Sequence, residues 1–130
     1  MWVLDTNTLI YFFKGEGQVA DRLLAHSPRD IGIPAIVLYE LQVGIAKSFS
    51  PDKRSRQLQE LISVVQVLPF HQREAQAAAE LRAALEREGR PIGPYDTLIA
   101  GTALAHGAIL VSRNTREFGR IATLRVENWY

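Results

Sequence analysis

The 130 residues predict an α/β fold with a mainly parallel sheet covered on both faces, and three observations support it. Short apolar runs alternate along the chain with longer segments of helical periodicity, the pattern of strand–helix–strand units. Runs such as Ala108-Ile109-Leu110-Val111 are apolar throughout rather than alternating, as strands buried on both faces are. Hydrophobic residues make up 47% of the chain, enough to build the core of one domain over residues 1–130.

Trp2-Val3-Leu4 is too short for a helix and apolar enough for a buried first strand. Asp5-Thr6-Asn7-Thr8 then offers several capping side chains before Leu9-Ile10-Tyr11-Phe12-Phe13, so a strand-to-helix turn is expected, the helix ending at Gly15 and Gly17. A short helix over about 19–26 puts Val19, Leu23 and Leu24 on one face. Residues 27–30 turn the chain into a second strand, Ile31-Gly32-Ile33. Pro34 suits the first turn of the next helix, in which Val37, Leu41 and Ile45 form a core stripe with Glu40 on its flank. Gly44 inside that helix costs about 1 kcal/mol relative to alanine, tolerable if another backbone or a ligand comes close.

Pro51 breaks the pattern before a helix marked by Leu58, Leu61 and Ile62. Val64 to Leu68 is a β-branched run closed by Pro69, the third strand. An alanine-rich helix follows from about His71 to Glu88 and stops at Gly89-Arg90-Pro91. Asp96 opens another, running to Ala105 or His106, whose Ala100, Gly101 and Ala103 allow close packing. Ala108 to Val111 and Leu124 to Val126 complete the strands. Right-handed crossovers place the loops after the strands along one edge, where open α/β sheets hold their ligands. Asp5 and the 112–117 segment belong at that edge.

Composition narrows the chemistry. With no cysteine, neither a disulfide framework nor a thiolate metal site is possible, and a reducing cytoplasm is compatible. No apolar run approaches the length of a membrane span, and the N-terminus lacks the pattern of a secretory signal. A net charge of +1 argues against nonspecific coating of nucleic acid by an overall basic surface. Arg113, Arg116, Arg120 and Arg125 nevertheless crowd one stretch, while Lys53, Arg54 and Arg56 read as solvated charges. There is no phosphate-binding P-loop, no Gly-x-Gly-x-x-Gly turn and no Gly-x-Ser-x-Gly elbow. His26, His71 and His106 lack ligand spacing and read as surface or half-buried histidines.

Four acids remain to be explained: Asp5, Glu40, Asp96 and Glu117. Each has an ordinary reading: Asp5 and Asp96 as helix caps, Glu40 as a partner of Lys47 or Arg22, Glu117 as a surface residue. If they meet instead, their mutual repulsion calls for a cation, and oxygen ligands without cysteine or histidine select Mg²⁺ or Mn²⁺. Spacing alone leaves both readings open.

Four blocks in register carry a resemblance over nearly the whole chain. They are Val3-Leu4-Asp5-Thr6-Asn7, Ile36-Val37-Leu38-Tyr39-Glu40-Leu41 with Gly44, Tyr95-Asp96-Thr97-Leu98-Ile99-Ala100, and Leu110-Val111-Ser112-Arg113-Asn114-Thr115-Arg116-Glu117-Phe118. The sequence resembles the PIN-domain ribonucleases and, within them, the VapC-like toxins of toxin–antitoxin pairs. The resemblance implies a three-layer α/β/α sandwich and a cytoplasmic, Mg²⁺- or Mn²⁺-dependent endoribonuclease that hydrolyses RNA, tRNA being the favoured target. It implies metal-holding roles for Asp5, Glu40 and Asp96, with Glu117 a weaker match, and a polar, orienting role for Asn114. Thr6 and Ser112 resemble groups that orient the carboxylates, and Arg113 and Arg116 would hold the RNA backbone. A homodimer and a VapB-like antitoxin are the implied partners, with part of Tyr11-Phe12-Phe13 as a docking groove or as ordinary core. A catalytically silent PIN-like module that binds RNA or a partner is the competing reading.

Overall fold

The computed structural model describes residues 1–130. Its axis is β1 (Trp2–Leu4), whose Val3 and Leu4 have no exposed surface because β1 lies in the middle of the sheet. On one side stand β2 (Ile31–Pro34) and β3 (Gln66–Leu68); on the other stand β4 (Ile109–Val111) and β5 (Val126–Glu127). The order is β3-β2-β1-β4-β5 and every pairing is parallel, β1 meeting β4 in the register Leu4 to Val111. Seven helices flank this sheet: α1 (Thr6–Lys14), α2 (Val19–Leu24), α3 (Ala35–Ala46), α4 (Pro51–Ile62), α5 (Gln72–Arg87), α6 (Pro94–Ala105) and α7 (Thr115–Phe118). The expected α/β class with a parallel sheet is what the chain adopts.

The chain builds β2 and β3 to one side of β1 before crossing to β4. Neighbouring strands β1 and β4 therefore send their following loops apart, opening a crevice at their C-terminal ends. Asp5 and Ser112 are the first residues beyond those two strands.

Several boundaries differ from the sequence expectation. Pro34 ends β2 instead of opening a helix: its φ of −59° suits either state, but its ψ of 145° is extended and it pairs in register with Leu68. Val64 and Val65 are held by the end of α4, both N–H groups donating to the Leu61 carbonyl, so β3 begins only at Gln66. The last strand lies later than Leu124–Val126, because Ser112 N–H donates to the Glu127 carbonyl while Leu124 turns into the core. The second helix stops at Leu24, and α7 was not expected at all.

Helices α5 and α6 pack most intimately. A Cβ on Gly101 would stand 2.5 Å from the Ala78 Cβ, so glycine is what lets these backbones approach. Gly44 is different: a Cβ there meets nothing within 4 Å, which removes backbone contact as its explanation. It borders a cavity of about 200 Å³ shared with Glu40, Lys14 and Arg54.

A buried charge also braces the α5–α6 pair. Glu74, 2% exposed, accepts from the His71 N–H at 2.8 Å and from His106 Nε2 at 3.0 Å. Arg73 can only donate, and it approaches His106 Nδ1 at 3.4 Å, an arrangement that suits the tautomer whose Nε2–H donates its hydrogen bond to Glu74. The His71 N–H, above all, holds the Glu74 carboxyl below its ordinary range despite burial.

Candidate active site

Asp5 leaves β1 with extended backbone, φ −79° and ψ 173°, and caps α1 by accepting the Thr8 N–H at 2.9 Å. Its own N–H donates to the Val111 carbonyl at 3.1 Å, as does the Thr8 hydroxyl, which ties the turn to β4. The carboxyl is 5% exposed, and burial pushes its pKa up against the lowering effect of Ser112 and Thr8. Ser112, fully buried, also accepts the Asn114 N–H at 3.0 Å.

Asp96 does not cap its helix. Gly93 occupies the cap position of α6, Pro94 starts the helix, and the Thr97 hydroxyl donates to the Gly93 carbonyl at 2.9 Å. That correction matters chemically, since the Asp96 carboxyl is left to meet Glu117 instead of backbone N–H groups. Burial, then the hydrogen bond and charge of Glu117, then the charges of Asp5 and Glu40, push Asp96 up to about 7. Glu117 goes the other way: burial would raise it, but the Gly93 N–H at 3.0 Å, the Asn114 amide at 2.8 Å and Asp96 together lower it. Of the two carboxyls, Asp96 keeps the proton. Asn114 also caps α7 through its side-chain oxygen.

Glu40 sits on α3, half-buried, and accepts the Thr6 hydroxyl at 2.7 Å. It pairs with neither Lys47 nor Arg22; Arg22 instead reaches Glu127 at 3.2 Å. All three other acids thus act on Asp96, yet no three of the acidic and histidine side chains stand close enough to hold an ion as they are placed. The donor set still fits a hard divalent cation in kind. It offers only carboxylate oxygens, and its charge conflict is relieved by a proton on Asp96 that a cation can replace.

The basic residues divide. Arg116 is exposed and makes no ion pair, whereas the Arg113 guanidinium lies 3.6 Å from the centre of the Tyr130 ring and 5.7 Å from that of Tyr11. Tyr11, Phe12 and Phe13 are all half-buried; Phe12 and Phe13 line a groove of about 510 Å³ with Leu23, Leu24 and Val64. Two features escaped the sequence reading of individual residues. Tyr39 and Tyr95 stand side by side at the site, and the neighbouring Tyr39, then burial and Glu40, raise the pKa of the Tyr95 phenol. The signal for them was position alone, each immediately preceding an acid.

Residues 2–124 match the model of the PIN domain. The chain is 37% identical to the tRNA(fMet)-specific endonuclease VapC of Salmonella typhimurium over 98% of its own length and 97% of the relative's. It is also 37% identical to Ribonuclease VapC2 of Rickettsia felis, over 99% and 98% of the two chains. Among solved structures, VapBC2 from Rickettsia felis bound to a DNA fragment from its promoter superposes with a TM-score of 0.92 at 34% identity, covering 99% of this chain and 98% of the other.

Proposed function

Because the chain belongs to the PIN-domain family and aligns end to end with VapC ribonucleases, we propose that it is the endoribonuclease toxin of a toxin–antitoxin pair, cutting tRNA with the help of Mg²⁺ or Mn²⁺. The observation that carries the metal-dependent part is Asp96, a carboxyl in a crevice at the C-terminal sheet edge that burial first, and then Glu117, Asp5 and Glu40, drive up to about 7. A purely structural domain gains nothing from such repulsion. Asp5, Glu40 and Asp96 would hold the ion, with Glu117 reaching it directly or through water.

A bound divalent ion supplies charge neutralisation at the phosphodiester and activation of the attacking water. The chain's own groups do the rest. Thr6 hydrogen-bonds Glu40, Ser112 supports Asp5, and Asn114 with the Gly93 N–H holds Glu117, which orients these oxygens while leaving the carboxylates to draw together on an ion. Arg116 is free to take a backbone phosphate; Arg113 does so from its aromatic seat. The relatives' names support tRNA as substrate and the VapBC structure supports a VapB-like antitoxin. The Phe12–Phe13 groove is the surface proposed to receive that antitoxin. We read residues 1–130 as one nuclease domain acting as a homodimer in the cytoplasm; no helix is long and apolar enough to cross a membrane.

Purified chain, incubated with tRNA transcripts, is expected to cut them in Mg²⁺ or Mn²⁺ and to stop when a chelator is added. RNA bound without any metal-dependent cut would favour the catalytically silent module.

A further inference from the structure

Most of the site's surroundings are polar or already engaged. The rings of Tyr11 and Tyr130 face the Arg113 guanidinium, and Phe12 packs edge-on against Phe13. Tyr39 and Tyr95 differ, because no cation or other aromatic residue covers them and their rings pair only with one another, with centroids 5.8 Å apart and planes inclined at 57°. They are 51% and 44% exposed, high for such large aromatic side chains. They come from different helices, α3 and α6, and the next residue on each helix is one of the acids, Glu40 or Asp96. The Glu40 charge reaches the Tyr95 phenol, so a phosphodiester bound over an ion at those acids has its adjoining nucleotides beside these rings. Single-stranded RNA is recognised largely by stacking splayed bases on aromatic side chains, and the backbone contacts available from Arg113 and Arg116 carry no such information.

We propose that Tyr39 and Tyr95 form the platform on which an unpaired base next to the scissile phosphate stacks, making them positioning and specificity residues of the cleavage site. The inclination of the two rings means that one base lies on one ring at a time, with the second ring closing its edge. The platform rests on the ribonuclease reading of the carboxylates, and its own mark is a loss tied to one nucleotide rather than to the whole RNA.

The test uses the full-length Asp96→Asn chain with Mg²⁺ and measures binding of a fluorescent tRNA anticodon stem-loop. Copies of that RNA carrying one abasic nucleotide at each loop position are measured in parallel. One abasic position is expected to weaken binding about tenfold. Adding Tyr39→Leu or Tyr95→Leu should weaken binding of the intact RNA by a similar factor and have no further effect on that abasic RNA, while Tyr39→Phe and Tyr95→Phe keep wild-type affinity. The abasic series needs no tyrosine variant, so it stands even if a leucine variant folds poorly. Equal affinity for every abasic copy, strictly additive losses, or no binding of the stem-loop at all would overturn the platform. A change of solution mass on substituting either tyrosine would assign the pair to contact between copies and overturn it too; Val43, 39% exposed one turn from Tyr39, would belong to that contact. The ribonuclease reading fails separately, if RNA is bound but the chain with Asp96 intact never cuts it.

Discussion

The two ends of α6 handle buried charge in opposite ways. Just beyond the C-terminal end, Glu74 accepts hydrogen bonds from His106 and from the His71 N–H, and the carboxyl settles below its usual range. In the first turn, Asp96 is partly buried beside Glu117 and within the field of Asp5 and Glu40, and burial first, then those charges, force its carboxyl up to about 7. One end is an acid supplied with donors; the other is an acid supplied with acids. The first arrangement stabilises the fold, and the second leaves a conflict for a ligand to resolve. Substitutions at the two ends should therefore separate stability from activity.

The largest effect is expected at the conflicted end. Asp96→Asn should lower single-turnover RNA cleavage about 10²–10³-fold, the usual scale for removing one preorganised electrostatic group. Urea denaturation of the metal-free variant should show it no less stable than wild type, since a source of repulsion is gone. Asn114→Ala comes next. It frees Glu117 and removes the α7 cap, and should reduce cleavage about 10–100-fold with the fold intact by circular dichroism.

At the settled end the pattern reverses. Glu74→Gln keeps the shape but weakens the bonds to His71 and His106, and should cost about 1–3 kcal/mol in urea denaturation while the folded fraction cuts RNA normally. The smallest effect is in the pH dependence of metal-free stability, and the two ends have opposite signs. Glu74 has a lowered pKa, so its contribution is present above the ordinary carboxylate pKa and is lost as pH falls. Asp96 has a raised pKa, so its contribution is complete below an ordinary value of 3.8 and is lost as pH rises through about 7. Thermal melts from pH 3 to pH 8 should show Glu74→Gln flattening the acid limb and Asp96→Asn the neutral limb.

Local signals in the sequence reached as far as neighbouring residues do. The turn from β1 into α1 was legible because Asp5 and the Thr8 N–H it accepts are three residues apart. The class of fold followed from the alternation of apolar runs and helical segments, whereas the order that sets β1 beside β4 came only with the structure. Asp96 as a cap was the wrong local answer: proline at the first helical position moved the cap to Gly93, and the partner that decides its chemistry, Glu117, lies far along the chain. The Thr6–Glu40 bond spans 34 residues and the Glu74–His106 bond 32, separations that no periodicity encodes. Pro34 was ambiguous for a different reason, since its fixed φ is common to a strand end and a helix start.

The claim that the acids around Asp96 await a divalent cation is tested most directly by calorimetric titration of Mn²⁺ into the metal-free protein at pH 6 and pH 8, in buffers of different ionisation heat. Binding should be tighter at pH 8, should release close to one proton per site at pH 6 and almost none at pH 8, and in Asp96→Asn should be about tenfold weaker with no proton release at either pH. Binding that is independent of both pH and Asp96, or no binding at all, would contradict the account.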